Sequence, residues 1–418
     1  MLARVRMPPP LRAAMRAALS LGVGGVVSVA SGQGTAGPTV RRAPMSRPDV
    51  VRGLYVNRWA VLDGRVWNLI AVARTTEVNA LVIDVKDDRG YVLYQSSVPL
   101  VGRIGADTTN PVPVASVRAM LDTMRAHDIY PIARIVVAKD PLLASAMKEW
   151  AVHRRSDSTA WLDHDGKPWL DPHQRGIWSY AADIAAEAVQ LGFREVQFDY
   201  VRFPDDPQLP LEARFPLASG RRPDRLIGEQ LAFLRGCVTR LHVPMAIDVF
   251  GLTTSDTTDM GIGQRWEEFG EVTDVVLPMT YPSHYSAGMY GLPNPNAAPY
   301  KTIDRALRDA KARNARLIHP PIIVPWYQDF TLGDPPYGVA QIRAQMQAGY
   351  DNGIRSWMLW NASSTYTVEA LTPAIRSAEE EASPVRTPWR AHARAVTPVW
   401  SRAGARGSPP LRAALPPA

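Results

Sequence analysis

Three aspartate residues of this chain stand inside short apolar runs, where an ionised side chain needs a partner or a function. Asp84 lies in LVIDVK, Asp199 in VQFDYV and Asp248 in MAIDVF. An unpaired carboxylate is costly to remove from water. Two carboxyl groups together can cleave a glycosidic bond, because one protonates the leaving oxygen and the other acts as nucleophile or as base for water. Asp199 and Asp248 are therefore the candidate catalytic pair.

Within this pair, Asp199 is expected to be the nucleophile or the stabiliser of the transition state, and Asp248 the acid/base. Partial burial beside a second carboxylate would raise the pKa of the acid, and Arg202 near Asp199 would keep Asp199 ionised. A structural interpretation competes with this one. Asp199 could form an ion pair with Arg202 or Arg134, and Asp248 could pair with a cation of a neighbouring strand and only orient Asp199.

Further polar and aromatic side chains follow the same apolar runs and suit the binding of sugars. Flat rings stack on the apolar faces of pyranose rings. Asp84 and Lys86 lie two residues apart on one strand face, where they either hold the reacting sugar or form an ion pair that closes the sheet. The predicted substrate-binding residues are Tyr55, Asp84, Lys86, Trp169, Arg202, Tyr281, Trp326, Trp360 and Asn361.

Two loop regions carry most of the other aromatic residues and predict an extended glycan groove. Trp150 and Trp178 lie on helical patterns, so core packing is the role expected for these two. The rings of these two regions are Trp150, Trp161, Trp169 and Trp178, followed by Tyr281, Tyr285, Tyr290 and Tyr300.

Eight β-rich runs position these residues. Most are continuously apolar, as parallel strands covered by helices on the outside are. Each run ends in polar or aromatic residues and is followed by a segment that can form a helix. The runs cover residues 51–57, 79–85, 130–137, 195–202, 244–251, 274–281, 321–327 and 356–361.

Helical patterns separate these runs, and the alternation predicts an α/β fold of the (β/α)8, or TIM barrel, type with aromatic-rich loops at its C-terminal face. The helical patterns cover residues 114–126, 177–191, 225–241, 302–312 and 340–352, the last followed by Gly353 as a helix stop. A doubly wound open sheet is the alternative, but no GxGxxG motif follows a strand. In a barrel the chemistry lies at the carboxyl ends of the strands, which is where the candidate residues fall.

The distribution of charge argues against a nucleic-acid partner. The net charge is +7, yet residues 1–48 and 383–418 together hold thirteen arginine residues and no acidic residue, which leaves the middle of the chain at −6. A phosphate-binding groove would need the opposite charge. The single cysteine, Cys237, excludes an internal disulfide. The histidine residues do not have the spacing of metal ligands, so we expect no metal and no cofactor.

The two ends of the chain predict an exported protein. Residues 1–30 combine a basic segment, an apolar run of about 13 residues and small residues before Ser31, as a cleaved signal peptide does. We expect a linker over 31–48, the barrel domain over 49–378 and a disordered Pro/Ala/Arg-rich tail over 379–418. The location would be periplasmic or extracellular, and the basic tail is a candidate for contact with an anionic envelope surface.

Several segments resemble a bacterial family of glycoside hydrolase barrels, a domain of unknown function related to the α-amylase-type glycosidases. They include RGLYVNRWAV, ALVIDVKDDRGYVLY, AIDVFG, DVVLPMTYPSHY and SWMLWNAS. The most specific piece is WLDP at 169–172, followed by a helix and by FDYVRFP at 198–204. The resemblance covers about residues 50–375 and implies a hydrolase of polysaccharide or other glycan with Asp199 in the catalytic centre at the fourth strand.

The expected function is thus an exported glycoside hydrolase that acts on a polysaccharide or envelope glycan. A catalytically inactive barrel that binds cell-envelope glycan is the alternative, in which the aromatic residues matter and the carboxylate pair does not. A lyase or a deacetylase is a third interpretation, and a deacetylase would need a metal.

Overall fold

Eight parallel β-strands form a closed barrel. The structure is a computed structural model and describes residues 45–218 and 220–371. The seventh strand consists of two short pieces. The strands are β1 Arg52–Val56, β2 Ala80–Lys86, β3 Tyr130–Val136, β4 Glu195–Asp199, β5 Met245–Phe250, β6 Val275–Met279, β7 Ile322–Ile323 with Trp326–Gln328, and β8 Trp357–Trp360.

The strands pair in chain order, and the last one closes the ring. β8 pairs in parallel with β1 through Leu54 and Leu359, and with β7 through Tyr327 and Leu359. Both pieces of β7 pair with β6. Because no barrel strand is left at an edge, the backbone groups of the sheet are satisfied within it. The predicted (β/α)8 barrel is confirmed.

Helices cover the outside of the barrel. All five predicted helical patterns are present, and Gly353 follows the last helix with a φ of +74°, as a helix-terminating glycine does. The helices are α1 Arg58–Leu62, α2 Val66–Thr75, α3 Pro99–Ile104, α4 Val114–Ala126, α5 Pro141–Ala146, α6 Arg175–Leu191, α7 Leu209–Glu212, α8 Pro223–Thr239, α9 Trp266–Gly270, α10 Pro299–Asn314 and α11 Val339–Asp351.

The strands read as continuous apolar runs because both of their faces are buried. Val82 and Leu277 belong to a cluster that fills the barrel interior, whereas their neighbours Ile83 and Val276 pack in the layer between the barrel and the helices. Successive side chains of a strand point to opposite faces. Every second residue therefore enters the barrel.

This alternation carries polar side chains to the mouth of the barrel. On three of the strands, an apolar residue in the barrel interior is followed two positions later by a charged residue on the same face. The pairs are Val82 and Asp84 on β2, Ile132 and Arg134 on β3, and Ala246 and Asp248 on β5.

The predictions for the two ends fall largely outside the described residues. The signal peptide at 1–30 and the tail at 379–418 lie there entirely. Of the linker predicted at 31–48, the last four residues are described, and Arg47 forms a buried ion pair of 2.8 Å with Glu195 at the start of β4. Contacts with the barrel therefore begin before residue 49. Among the described residues, no helix has the length and apolarity needed to cross a membrane.

Candidate active site

A cavity of about 380 Å³ opens at the carboxyl ends of the strands. It contains both predicted catalytic aspartates and four of the predicted substrate-binding residues. The predicted residues that line the cavity are Asp199, Asp248, Arg202, Tyr281, Trp326 and Trp360. The other lining residues are Arg134, Tyr200, Asp205, Phe250, Gly251, Leu252, Met279, His284 and Tyr285.

Asp199, the last residue of β4, is held as an acceptor of hydrogen bonds. The backbone N–H of Tyr200 donates to its Oδ1 at 2.5 Å. Arg134 donates to its Oδ2 from Nη2 at 2.5 Å and from Nε at 3.2 Å. Both carboxylate oxygens of Asp199 are therefore held by donors of the protein. The cation beside Asp199 is Arg134 and not Arg202, so the structure selects one of the two ion pairs that the sequence left open.

Arg134 connects three carboxyl groups. Its Nη1 donates to Asp84 at 2.5 Å, its Nη2 and Nε contact Asp199, and its Nε lies 3.8 Å from Oδ2 of Asp248. These negative charges raise the pKa of the Arg134 guanidinium above its ordinary value, although burial opposes them. The guanidinium also lies 5.4 Å from the ring centroid of Tyr55 and 5.3 Å from that of Trp360. Arg134 is thus a fixed cation beneath the cavity.

Asp84 lies below the cavity wall and does not line it. Its Oδ2 accepts a hydrogen bond of 2.5 Å from the hydroxyl group of Tyr55. Burial raises the pKa of Asp84 to about 6, against the opposing effects of Arg134 and Tyr55. Asp84 therefore contacts the site through Arg134, Tyr55 contacts it through Arg134 and Trp360, and neither lines the cavity itself.

Asp248 occupies the floor of the cavity. Gln197 Nε2 donates to both of its oxygens at 2.9 and 2.8 Å, and Trp326 Nε1 donates to Oδ1 at 2.6 Å. Burial raises the pKa of Asp248 well above its ordinary value, and the charge of Asp199 raises it further, while Arg134 and these donors oppose the shift. The environment therefore favours a protonated Asp248, as a general acid requires, beside an Asp199 that is paired with Arg134.

The separation of the two carboxyl groups has an upper bound. Nε of Arg134 lies 3.2 Å from Oδ2 of Asp199 and 3.8 Å from Oδ2 of Asp248. These two oxygens are thus no more than 7.0 Å apart, the sum of the two distances. This limit includes the spacing of about 5–5.5 Å in retaining glycosidases and the lower part of the range of about 6.5–9.5 Å in inverting ones.

Aromatic rings form one wall of the cavity. Trp360 stacks on Tyr55 with ring centroids 3.9 Å apart, and Trp326 meets Trp360 edge to face at 5.7 Å. Tyr281 lies 6.5 Å from Trp360 in a tilted arrangement. The rings support one another, so their positions are fixed before a ligand binds. Flat apolar surfaces beside carboxylates are the combination that a pyranose ring requires.

Arg202 stands on the other side, where it pairs with Asp205 at 2.9 Å. Its guanidinium lies 5.1 Å from the ring centroid of Trp169, 4.8 Å from that of Tyr200 and 4.6 Å from that of Phe250. Trp169 is 3 % exposed and does not line the cavity. The predicted sugar-binding role of Trp169 is replaced by support for Arg202.

Lys86 does not share the site with Asp84. The ladder between β2 and β3 shifts its register between these two residues, which interrupts the alternation of strand faces. Lys86 is fully buried, pairs with Asp140 at 2.8 Å and donates to the carbonyl of Val136 at 2.7 Å. Lys86 does not line the cavity, and its ion pair is with Asp140 and not with Asp84.

Asn361 is placed in a turn and does not line the cavity. Its Nδ2 donates to the carbonyl of Asp329 at 2.6 Å, and its Oδ1 accepts from the N–H and the hydroxyl group of Ser363. Both ends of the amide are engaged by the protein, so the side chain fixes the loop after β8.

The predicted aromatic groove is largely absent. Trp161 and Trp178 are buried in the core, like Trp169. Tyr285 does line the cavity, beside Tyr281. Trp161 and Trp169 stabilise the segment after β3 and are not available to a ligand, and Trp178 packs in the core from α6, as its helical pattern predicts.

Sequence reasoning assigned no role in the site to Gln197 or Tyr200, and it treated Arg134 only as a possible partner of Asp199. Gln197 and Arg134 stand on inward-facing positions of adjacent strands, which is a signal that the alternation could have supplied. Within residues 45–218 and 220–371, no three His, Cys, Asp or Glu side chains group as ligands of a metal ion. The expectation that no metal or cofactor is needed stays a prediction.

The comparison with protein families decides the class. Residues 53–366 match a family described as "Putative glycosyl hydrolase domain". The chain belongs to this family. The glycoside hydrolase class predicted from the sequence is thereby confirmed, as is the resemblance on which it rested.

Several solved structures are similar to this family member, and one of them, with a TM-score above 0.5, shares its fold. It is 38% identical to a hypothetical protein from Ruminiclostridium thermocellum, over 47% of this chain and 97% of that one, with a TM-score of 0.42. The PgaB (BpsB) glycoside hydrolase domain from Bordetella bronchiseptica is 13% identical, over 78% of this chain and 99% of that one, with a TM-score of 0.56. The α-galactosidase TtGalA from Thermus thermophilus is 12% identical, over 82% of this chain and 61% of that one, with a TM-score of 0.46. No curated protein matches the chain.

Proposed function

We propose that this protein hydrolyses the glycosidic bonds of a polysaccharide, with Asp199 and Asp248 as the reacting carboxyl groups. One observation carries the proposal. Asp199 and Asp248 face a single aromatic-walled cavity from the adjacent strands β4 and β5, and their surroundings differ: Arg134 forms an ion pair with Asp199, whereas burial raises the pKa of Asp248. A pair of carboxyl groups set apart in this way can supply the acid and the nucleophile or base of glycoside hydrolysis.

In this mechanism Asp248 donates its proton to the leaving glycosidic oxygen as the bond to the anomeric carbon breaks. Asp199 either attacks that carbon or removes a proton from the water that attacks it. Arg134 contacts Asp199 but is 3.8 Å from Asp248, so it stabilises the anion more than the acid. The anomeric form of the first product, followed by ¹H NMR, distinguishes the two roles of Asp199.

Reducing-end release from a panel of α- and β-linked polysaccharides tests the proposal. The panel includes amino-sugar polymers and peptidoglycan. We expect the wild type to cleave at least one polymer and Asp199→Asn and Asp248→Asn to lose that activity while remaining folded. Asp122→Asn is the matched control, because this aspartate is 65 % exposed on α4 and away from the cavity.

Wild-type turnover by Asp199→Asn would refute the assignment of the nucleophile or base. Binding of one polymer without cleavage by the wild type would instead support the inactive glycan-binding barrel. A cleavage that survives in Asp248→Asn alone would leave Asp205, which also lines the cavity, as the acid to test next.

We also propose that the enzyme is exported and acts in the periplasm or outside the cell. The basic and apolar segments of residues 1–30 support this location. Fractionation of cells that express the full chain, with N-terminal sequencing, should give a mature protein that begins at Ser31. The arginine residues of the tail at 379–418 support contact with an anionic envelope surface, and salt should release that contact.

A further inference from the structure

A strip of charged and aromatic side chains leads away from the cavity, across the loops after β3, β2 and β1. It starts at Tyr200 in the cavity wall, and Nζ of Lys139 lies 5.3 Å from the centroid of that ring. Oδ2 of Asp88 lies 3.4 Å from the same Nζ. The next residue, Arg89, places its guanidinium 5.0 Å from the ring centroid of Trp59. Each step is a direct contact or a chain neighbour, so the strip is continuous with the cavity.

Trp59 ends this strip as an exposed ring on a fixed support. It is 42 % exposed and belongs to α1, which starts directly beyond the carboxyl end of β1. Asn57 caps that helix by accepting a hydrogen bond of 2.8 Å from the N–H of Ala60. The buried guanidinium of Arg58 lies 5.5 Å from the Trp59 ring centroid and donates to loop carbonyls at residues 109 and 110. A large apolar ring is thus presented to solvent beside two cations.

The loop that carries Arg89 is equally well defined. Oδ1 of Asp87 accepts hydrogen bonds of 3.0 Å from the backbone N–H groups of Arg89 and Tyr91. Oδ2 of Asp87 accepts one of 2.9 Å from Nη2 of Arg89. Gly90 between them has a φ of +91°, which suits glycine and makes the turn tight. The backbone of this loop is therefore fixed, and the half-exposed side chain of Arg89 over the Trp59 ring is the part that moves when a ligand stacks there.

We propose that Trp59 is an outer subsite, which stacks on a sugar ring of the same polysaccharide chain whose scissile bond lies in the cavity. The inference rests on the proposed function and extends it to the class of substrate. An exposed ring can stack on the apolar face of a pyranose, while Lys139, Asp88 and Arg89 offer donors and acceptors to the hydroxyl groups in between. The favoured substrate is therefore a polymer that spans the strip, and a short glycoside occupies the cavity alone.

The variants Trp59→Ala and Trp59→Tyr test this subsite, with Trp67→Ala as the control. Trp67 is 47 % exposed on α2, and it is not among the contacts of the strip. The substrates are the polymer that the wild type cleaves and an aryl glycoside of one or two sugar units of the same glycan. We expect Trp59→Ala to raise KM for the polymer about three- to tenfold, the size of one aromatic contact. Its kinetics on the aryl glycoside should stay unchanged, and Trp59→Tyr should restore part of the affinity.

Equal kinetics of Trp59→Ala and wild type on the polymer would overturn the inference, as would an equal loss on both substrates. Affinity gel electrophoresis of Asp199→Asn with and without Trp59→Ala, in soluble starch, hydroxyethyl cellulose and glycol chitin, separates binding from turnover. If wild type cleaves none of these but Trp59→Ala weakens the retardation, the subsite stands and the hydrolytic proposal fails. If none is cleaved and none retards the protein, both fail.

Discussion

Replacing Arg134 with Met tests whether one buried cation holds the carboxyl groups of the site together. Met replaces the aliphatic stem of Arg134 and has no charge, so the change removes the guanidinium and its hydrogen-bonded ion pairs to Asp84 and Asp199. Removing one partner of a buried ion pair costs roughly 3–5 kcal/mol, because the other charge stays buried. We therefore expect Arg134→Met to be one of the most destabilising single changes in the barrel.

The loss of unfolding free energy caused by Arg134→Met should depend strongly on pH. A stranded carboxylate avoids burial of its charge by taking up a proton, and an unfolded aspartate has a pKa of about 3.9. Neutralising one aspartate therefore costs about 4 kcal/mol at pH 7 but only about 1.5 kcal/mol at pH 5. Wild-type Asp84, with a pKa of about 6, already bears about 3 kcal/mol of this cost at pH 7, so most of the added cost arises because Asp199 also loses its ion pair. Both carboxylates lose their cation in the variant, so stability that is present in acid is lost as the pH rises. We expect the destabilisation to be about 4 kcal/mol at pH 7 and below 2 kcal/mol at pH 5.

Urea unfolding at the two pH values measures this difference, and a double-mutant cycle with Asp84→Asn measures the part of it that arises at Asp84. Because Asp84 and Arg134 are in contact, the two changes should not be additive. Asp122→Asn on the outer surface of α4 should give additive effects with Arg134→Met. A loss below about 1 kcal/mol, or a loss that is the same at both pH values, would refute the view that Arg134 neutralises buried carboxylates.

Three further outcomes follow from the same contacts. The pKa of Asp84 is raised to about 6, so this residue stabilises the fold below about pH 4 and loses that effect as the pH rises through 6. Asp84→Asn should therefore reduce the fall in unfolding free energy between pH 4 and 7 by up to about 3 kcal/mol. An equal dependence of unfolding free energy on pH in the wild type and the variant would contradict this. Trp326→Phe removes the 2.6 Å donor that favours ionised Asp248, so the basic limb of kcat/KM should move to higher pH, and an unmoved or lowered limb would argue against Asp248 as the acid. Lys86→Met should lower stability by about 3–5 kcal/mol because it strands buried Asp140, with KM unchanged; a raised KM would restore the predicted role of Lys86 in binding sugar.

The barrel could be predicted because its signals are local. Strands buried on both faces must be apolar throughout, and the helices between them show their own period. The two-residue alternation also brought Asp199 and Asp248 into one cavity, since both follow interior residues of adjacent strands. This part of the site is determined by the register of the sheet.

The contacts that could not be predicted from the sequence occur where the regular alternation of strand residues is interrupted. Lys86 leaves the face of Asp84 because the ladder shifts between them. Arg134 could reach several carboxylates, and only the arrangement of three strands shows which ones it contacts. The exposure of Trp59 on α1 and the burial of Trp161 depend on how neighbouring segments pack around them. A residue type alone does not distinguish a ring that binds a ligand from one that anchors a loop.

Tyr200 shows how the site constrains the rest of the chain. Its φ of +53° lies in the left-handed region, which costs a residue with a side chain roughly 1–2 kcal/mol. The same conformation accompanies the hydrogen bond from its N–H to Asp199 and places its ring in the cavity wall. Glycine at this position would relieve the strain and remove the ring. Selection for thermal stability alone would therefore favour variants with an unstrained backbone at position 200 and without the ring in the cavity wall. An engineer who stabilises this enzyme should leave this position unchanged.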